Sequence, residues 1–160
     1  GLYNSLPAIG VSLLLTGCFL WQAERMNQKG KNVGEAKYRD ALFVGLCQGI
    51  AIIPGISRSG ATIVGSLFSG LNREFAVQFA FLISVPAILG AALLEIPEAF
   101  AEGFAEEMLL PIVAGVAAAA ISGYIAIRTM IRVVCNKKLY IFSLYTWIAG
   151  SLLLIYTFMN

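Results

Sequence analysis

The chain contains no histidine, and charged residues make up only 12% of its 160 residues. Without histidine, the sequence lacks the side chain that most often serves as a general base or metal ligand near neutral pH. An ordinary soluble domain carries about 25% charged residues, so the scarcity of charge argues against a soluble protein. The formal net charge of +2, with no long basic block, gives no indication of nucleic-acid binding.

Cysteine is also scarce. The three cysteines, Cys18, Cys47 and Cys135, each lie in or beside an apolar run. This pattern indicates small membrane-embedded side chains, and it argues against a disulfide framework or a metal site. The chain begins with Gly1, and no signal-peptide pattern precedes its first apolar run. We therefore expect residues 1–160 to be a single membrane domain and a fragment of a larger protein.

Apolar residues dominate the remainder, at 59% of the chain with a mean hydropathy of +0.82. A helix needs roughly 20 apolar residues to cross about 30 Å of hydrocarbon. Four runs are long enough, at 6–23, 75–96, 109–131 and 139–158. The sequence therefore predicts an all-α, polytopic integral membrane protein with about four transmembrane helices. Small residues at 76, 80, 84 and 87, and at 115, 119 and 123, predict close helix packing along two stripes.

A fifth apolar unit, 40–71, is interrupted by Pro54, Gly55 and Gly60, and each of its arms is too short to span. Broken backbone at membrane depth is tolerated only beside protein or a cavity, so we predict a re-entrant hairpin whose second arm begins near Ala61. Segments 24–40 and 132–138 are basic, whereas 95–108 is acidic. If the hairpin enters and leaves on one face, the positive-inside rule makes both basic loops and Arg73 cytoplasmic and the acidic loop external.

The loop 54–62 carries the most informative charge in the chain, Arg58. A guanidinium at bilayer depth costs about 2.5–3.5 kcal/mol, so Arg58 predicts a bound anion. Backbone N–H groups and the positive end of the second arm would add donors at the same point. The loop therefore predicts a phosphate or pyrophosphate site. The alternative is a buried ion pair between Arg58 and an Asp or Glu of another helix.

The hydroxyls of the loop would join that site, although each has an alternative. Ser57, Ser59 and Thr62 would line it, yet hydroxyls in membranes often bond to helix carbonyls instead. Gln48 would face the loop from the entry arm or form an interhelical hydrogen bond. The usual phosphate motifs do not fit, because no lysine follows Gly60 as a Walker loop requires.

Residues 45–63, GLCQGIAIIPGISRSGATI, resemble the second signature of the undecaprenyl pyrophosphate phosphatases, the bacitracin-resistance family of bacterial inner membranes. The core Pro-Gly-x-Ser-Arg-Ser-Gly-x-Thr is long and unusual, which makes the resemblance specific. It extends over essentially the whole chain but only over the C-terminal portion of the family's protein. It implies half of an inverted repeat with two re-entrant hairpins. It also implies recycling of the lipid carrier for peptidoglycan synthesis, and resistance to bacitracin.

The resemblance implies a role for each residue of the loop. Arg58 and Ser57 would be catalytic, with Arg58 clamping the pyrophosphate. The implied phosphate-binding residues are Gly55, Ser57, Arg58, Ser59, Gly60 and Thr62, and Gln48 matches a polar position behind them. The family's first repeat carries a glutamate-rich signature and a Pro-x-Ser-Ser-x-Gly-His loop, which this chain lacks. We therefore expect no metal ligands in this chain, a Mg²⁺ or Ca²⁺ site elsewhere in the protein, and an inactive chain on its own.

Other functions compete with hydrolysis. Re-entrant hairpins and inverted repeats also occur in secondary carriers, so a lipid or small-anion transporter or flippase is the main alternative. An anion channel would show rings of charge or carbonyls, which the sequence lacks, and a structural subunit would leave the Ser-Arg-Ser-Gly loop unexplained. The expected partners are a polyprenyl pyrophosphate lipid and the membrane, with a homodimer left open.

Overall fold

The computed structural model describes residues 5–26, 30–101 and 109–159, with the main chain alone for 98–101. In these residues the regular structure is helical, apart from an isolated bridge between Lys31 and Leu71. The elements are α1 (Leu6–Glu24), a 3₁₀ turn (Val33–Glu35), α2 (Tyr38–Ile50), α3 (Arg58–Phe68), α4 (Arg73–Ala101), α5 (Leu109–Cys135) and α6 (Tyr140–Met159). The predicted all-α class is confirmed.

Four of the helices, α1, α4, α5 and α6, have the length and apolar composition needed to cross a membrane. The four predicted spans are therefore confirmed, and the chain is a multi-pass membrane protein. Two spans run further than predicted, because α4 begins at Arg73 and α5 continues to Cys135. Residues 102–108 of the acidic loop and 27–29 of the first basic loop lie outside the described residues, and the sidedness of the loops stays a prediction.

The two short helices α2 and α3 have 13 and 11 residues and pack against each other as a hairpin. Their contact is close: a Cβ added at Gly65 would lie 2.8 Å from the Cys47 Sγ. The prediction that α3 begins near Ala61, with Gly60 in the break, is wrong, because the helix begins at Arg58. Ser57 explains the earlier start, since its Oγ accepts the N–H of Gly60 at 3.1 Å and caps the helix.

Helices α1 and α6 pack through small residues that the predicted stripes did not include. A Cβ added at Gly150 would lie 2.9 Å from the carbonyl oxygen of Gly10, and one at Gly17 would lie 2.5 Å from the Trp147 ring. The Trp147 indole N–H donates to the carbonyl of Leu14 at 3.2 Å. By contrast, nothing lies within 4 Å of a Cβ added at Gly115 or Gly123, so the second predicted stripe packs on nothing in the described part of the chain.

One end of the bundle is held by a buried arginine, and we call Glu24, Arg73, Val134 and Leu139 the helix-end cluster. Arg73 is 5% exposed. Its guanidinium donates to the carbonyls of Val134 at 3.0 Å and Glu24 at 2.8 Å, and lies 3.8 Å from the Glu24 carboxylate. That carboxylate accepts the N–H of Leu139 at 2.7 Å. Arg73 and Glu24 together therefore connect the ends of α1, α4, α5 and α6.

A second group of polar contacts closes the base of the hairpin, and we call Lys31, Asp40 and Ser69 the base clamp. The Lys31 ammonium donates to both Asp40 oxygens at 3.0 Å and to the Ser69 carbonyl at 2.9 Å. It thus joins the first turn of α2 to the end of α3. The N–H of Lys37 and then the Lys31 ammonium lower the pKa of Asp40 below its ordinary value of 3.8.

Candidate functional site

Residues 51–57 connect α2 to α3, and this loop contacts α1 at Gly55. Gly55 has a φ of +90°, a conformation that L side chains rarely adopt. A Cβ added at Gly55 would also lie 2.6 Å from the carbonyl oxygen of Ile9 and 2.9 Å from the Ser12 Cβ. Both the turn and the close approach to α1 therefore require glycine at this position.

The start of α3 presents hydrogen-bond donors at the end of the loop. Ser57 caps the N–H of Gly60, and the N–H of Ala61 bonds to the carbonyl of Ser57 at 2.8 Å. The N–H groups of Arg58 and Ser59 have no acceptor within the described residues. Because these groups belong to the positive end of the helix dipole, they favour an anion at this point.

The Arg58 side chain is exposed and makes no ion pair or hydrogen bond with the part of the chain that the structure describes. The two acidic residues nearest to Arg58 in the sequence are occupied elsewhere. Asp40 pairs with Lys31, and the Glu74 carboxylate lies 3.4 Å from the Gln78 amide nitrogen. The guanidinium therefore stands without a counter-charge among the described side chains.

The loop and the start of α3 form one wall of a cavity of about 350 Å³, which we call the serine cavity. Gly55, Ile56, Ser57, Ser59 and Gly60 line that wall. The facing residues come from α1, α5 and α6, and they are Leu13, Leu20, Met130, Phe142, Tyr145 and Thr146. The sequence analysis missed the α5 and α6 contribution. The two hydroxyl-bearing residues Tyr145 and Thr146, inside an apolar span, could have indicated it.

The structure does not bring all the predicted residues to this cavity. Thr62 is 2% exposed, and its hydroxyl donates to the carbonyls of Arg58 at 3.1 Å and Ser59 at 3.0 Å. It therefore braces the first turn of α3 from within the core. Gln48 is half-buried on α2 and does not line the cavity, and its side-chain oxygen is buried without a hydrogen-bond partner in the described residues.

The donor set suits an anion better than a cation. The hydroxyls of the serine cavity and the free N–H groups of α3 donate hydrogen bonds, and no carboxylate lines the cavity. Arg58 adds an exposed guanidinium in the same turn, but it does not line the cavity. Across the described ranges, no three His, Cys, Asp or Glu side chains gather into a group that could hold a metal ion. Mg²⁺ and Ca²⁺ require several oxygen ligands, so these residues do not form a divalent-cation site.

Comparison with known proteins identifies one matching family and several similar relatives. The family model described as "Bacitracin resistance protein BacA" matches residues 1–152. A protein of Alkaliphilus metalliredigens named undecaprenyl-diphosphatase is 50% identical over 155 residues, which is 97% of this chain and 56% of that relative. Relatives with the same name from Carboxydothermus hydrogenoformans and Methanothermobacter thermautotrophicus are each 45% identical over 157 residues. The chain covers 60% of the former and 85% of the latter.

Proposed function

The chain belongs to the BacA family of bacitracin resistance proteins, and from that premise we propose that it supplies the pyrophosphate-clamping part of an undecaprenyl-diphosphatase. The reaction would convert undecaprenyl pyrophosphate to undecaprenyl phosphate and inorganic phosphate, and so recycle the lipid carrier for cell-wall synthesis. The observation that carries the proposal is the unpaired Arg58 beside the free N–H groups of Arg58 and Ser59. The N–H groups and the Arg58 residue all belong to the first turn of α3, at the end of the hairpin loop.

Each donor has a defined task in phosphoryl transfer. The planar fork of Arg58 would bind two phosphate oxygens at once and stabilise the charge that develops on them. The N–H groups of α3 would hold a third oxygen, because the helix dipole favours negative charge there. Ser57 and Ser59 would hydrogen-bond the pyrophosphate from the cavity wall. Gln48 would support the loop from α2. Its buried side-chain oxygen, which has no partner in the described residues, would accept a hydrogen bond there.

The chemistry also needs an activated nucleophile, which these residues do not complete. Ser57 already uses its oxygen to cap α3, and the cavity lining contains no carboxylate that would accept its proton. We therefore propose that this chain alone is inactive. In that view the base, and the ligands of a divalent cation such as Mg²⁺ or Ca²⁺, come from a second part of the site.

We also propose that the hairpin is re-entrant and forms half of an inverted repeat. Its loop contacts α1 at Ser12, which is twelve residues, and hence roughly 18 Å, from the end of the helix at Glu24. That position supports a loop at bilayer depth, since the hydrocarbon core is about 30 Å thick. In this arrangement segments 24–40 and 132–138 face the cytoplasm, 95–108 faces outward, and the protein resides in the inner membrane.

The test is phosphate release from undecaprenyl and farnesyl pyrophosphate in nanodiscs, with Mg²⁺ or Ca²⁺ present. We expect none from the 160-residue chain, and release from a full-length relative that carries the same loop. The Methanothermobacter thermautotrophicus relative, of which this chain covers 85%, should be assayed in the same way. Hydrolysis by the isolated chain would contradict the two-part site. Transfer of labelled lipid across sealed vesicles without hydrolysis would instead favour the transporter alternative.

A homodimer is a further proposal. The described faces of α4 and α5 expose large apolar side chains, with Leu93 at 74% and Leu110 at 79% exposure. Either lipid or a second copy of the chain can cover such faces. Mass measurement of the protein in nanodiscs distinguishes one copy from two.

A further inference from the structure

An apolar groove runs between α1 and the hairpin, with a volume of about 240 Å³. Leu15 and Phe19 contribute the α1 side, and Phe43, Cys47 and Ile50 contribute the α2 side. Val64 of α3 lies among the remaining lining residues. Leu15, Phe19, Phe43 and Ile50 are 44–58% exposed, so the groove opens sideways along the helix faces.

The groove lies next to the serine cavity. Both spaces are lined by Leu20, Ile56 and Gly60, so these three residues form their common boundary. A Cβ added at Gly60 would lie 3.0 Å from the Ser57 Oγ and 3.8 Å from the Thr16 Cγ2, so α3, its cap and α1 meet at this boundary. A molecule with one part in each space would have to cross this boundary.

The chemistry of the two spaces differs sharply. No charged residue lines the groove, and its hydroxyl-bearing residue, Thr16, already donates to the carbonyl of Ser12 at 2.9 Å. The serine cavity, in contrast, presents Ser57 and Ser59 beside the start of α3. A polar head and an apolar tail in one molecule match this pair of spaces.

We propose that the apolar groove binds the isoprene units next to the pyrophosphate while the serine cavity holds the head group. The inference rests on the proposed function and deepens it, because it identifies where this chain distinguishes a lipid pyrophosphate from a water-soluble one. Branched isoprene units suit a lining of Leu, Phe, Ile and Val side chains, which bury apolar surface without leaving a polar group unpaired.

Cys47 provides a direct test, because it lines the groove, whereas the exposed Cys18 and Cys135 do not. The full-length protein in nanodiscs would be treated with methyl methanethiosulfonate, and the modification of each cysteine followed by mass spectrometry. Farnesyl pyrophosphate should slow the reaction of Cys47 at least fivefold and leave Cys18 and Cys135 unchanged. Farnesol should protect Cys47 partly, and inorganic pyrophosphate should not protect it.

Equal protection by inorganic pyrophosphate would overturn the proposal, because the tail would then have no part in it. No protection by farnesyl pyrophosphate would also overturn it, and would indicate that membrane lipid or another segment of the protein fills the groove. Protection does not depend on turnover. If farnesyl pyrophosphate protects Cys47 but the protein releases no phosphate, the proposed function is contradicted and the groove assignment still stands.

A pair of variants on α1 provides the kinetic test. Leu15→Trp fills the groove, whereas Val11→Trp adds the same ring one turn earlier on a residue that does not line it. The two positions are 49% and 48% exposed, so both should accept the larger side chain. Leu15→Trp should raise KM for farnesyl pyrophosphate at least tenfold, with little change in kcat. Equal kinetics of the two variants on farnesyl pyrophosphate would overturn the assignment.

Discussion

The guanidinium of Arg58 begins α3 with no carboxylate against it in the described part of the chain. Structural arginines in membranes are normally neutralised by a partner, and Arg73 of the same chain shows what such a site looks like. Arg73 is buried, and its guanidinium donates to the carbonyls of Val134, Glu24 and Met26. The contrast between the two arginines is what makes a ligand the natural partner of Arg58.

Arg58→Lys keeps the charge but removes the planar fork. In the full-length protein we expect kcat/KM for farnesyl pyrophosphate to fall about 10- to 100-fold, since a lysine binds phosphate as a point charge. Arg128→Lys, on an exposed face of α5, is the control and should retain activity. Full activity of Arg58→Lys would mean that the guanidinium does not contact the transferring phosphoryl group.

Gly55→Ala tests the loop backbone. The substitution forces a side chain into a φ of +90° and against the Ile9 carbonyl, which should cost about 1–3 kcal/mol and move the loop. Thermal unfolding should show a Tm several degrees lower, together with loss of phosphate release. Gly45→Ala, on the neighbouring α2 with nothing within 4 Å of its Cβ, is the control and should unfold at or above the parent temperature.

At the scale of the elements, the hairpin is held at its base and not only at its loop. Lys31→Met removes the ammonium of the base clamp and leaves the Ser69 carbonyl and the Asp40 carboxylate without this donor. The ion pair is partly exposed, so we expect a small fall in Tm. The N–H of Lys31 donates to the Gly70 carbonyl, and the N–H of Asn72 donates to the Lys31 carbonyl. Hydrogen exchange at these two N–H groups should be clearly faster.

Lys37→Met is the matched control for that substitution. Lys37 contributes its main-chain N–H to Asp40, at 2.9 Å, and this contact does not depend on the side chain. Exchange at Lys31 and Asn72 should therefore stay at the parent rate. Equal effects of the two substitutions would show that general charge, and not the base clamp, sets the stability of the hairpin.

The base clamp should also be sensitive to acid. Because the pKa of Asp40 is lowered in the folded protein, the clamp contributes fully above the ordinary value of 3.8 and is lost as pH falls through the lower folded value. Exchange at Lys31 and Asn72, corrected for intrinsic rates, should therefore be unchanged between pH 7 and pH 5 and accelerate below about pH 4. In Asp40→Asn the acceleration should be absent.

Sequence patterns predicted the long elements better than the short ones. Runs of about 20 apolar residues leave few alternatives to a spanning helix, so all four spans were predictable. The start of α3 was not, because Gly60 reads as a helix breaker unless the capping hydroxyl three residues earlier is considered. Similarly, the sequence analysis did not identify Ser57 as a helix cap, although its hydroxyl accepts the N–H of Gly60 and begins α3.

At the scale of the whole molecule, the helix-end cluster joins four helices that are far apart in sequence. Arg73→Met should cost about 3–5 kcal/mol, because it leaves the Glu24 carboxylate, whose side chain is 12% exposed, without its cation. Adding Glu24→Gln should recover part of that loss. Arg132→Met, an exposed neighbour in the last turn of α5, is the control. Denaturant unfolding in detergent measures all three, and equal stability of Arg73→Met and Arg132→Met would contradict a structural tie.

The rest of the candidate site escaped sequence analysis because it is assembled by tertiary packing. The Pro-Gly-x-Ser-Arg-Ser-Gly-x-Thr motif directs attention to residues 54–62, but the opposite wall of the serine cavity comes from Met130, Phe142, Tyr145 and Thr146. No local pattern connects positions more than 70 residues apart. The motif also presents Thr62 as equivalent to Ser59, and only the direction of the helix face separates the buried hydroxyl from the exposed one.

The sideways opening of the apolar groove has a consequence for how the rate should be measured. A substrate that enters between α1 and α2 arrives by diffusion within the bilayer plane, so the concentration that matters is its mole fraction among the lipids. Doubling the lipid at constant substrate should then slow turnover, whereas doubling the buffer volume should leave turnover unchanged.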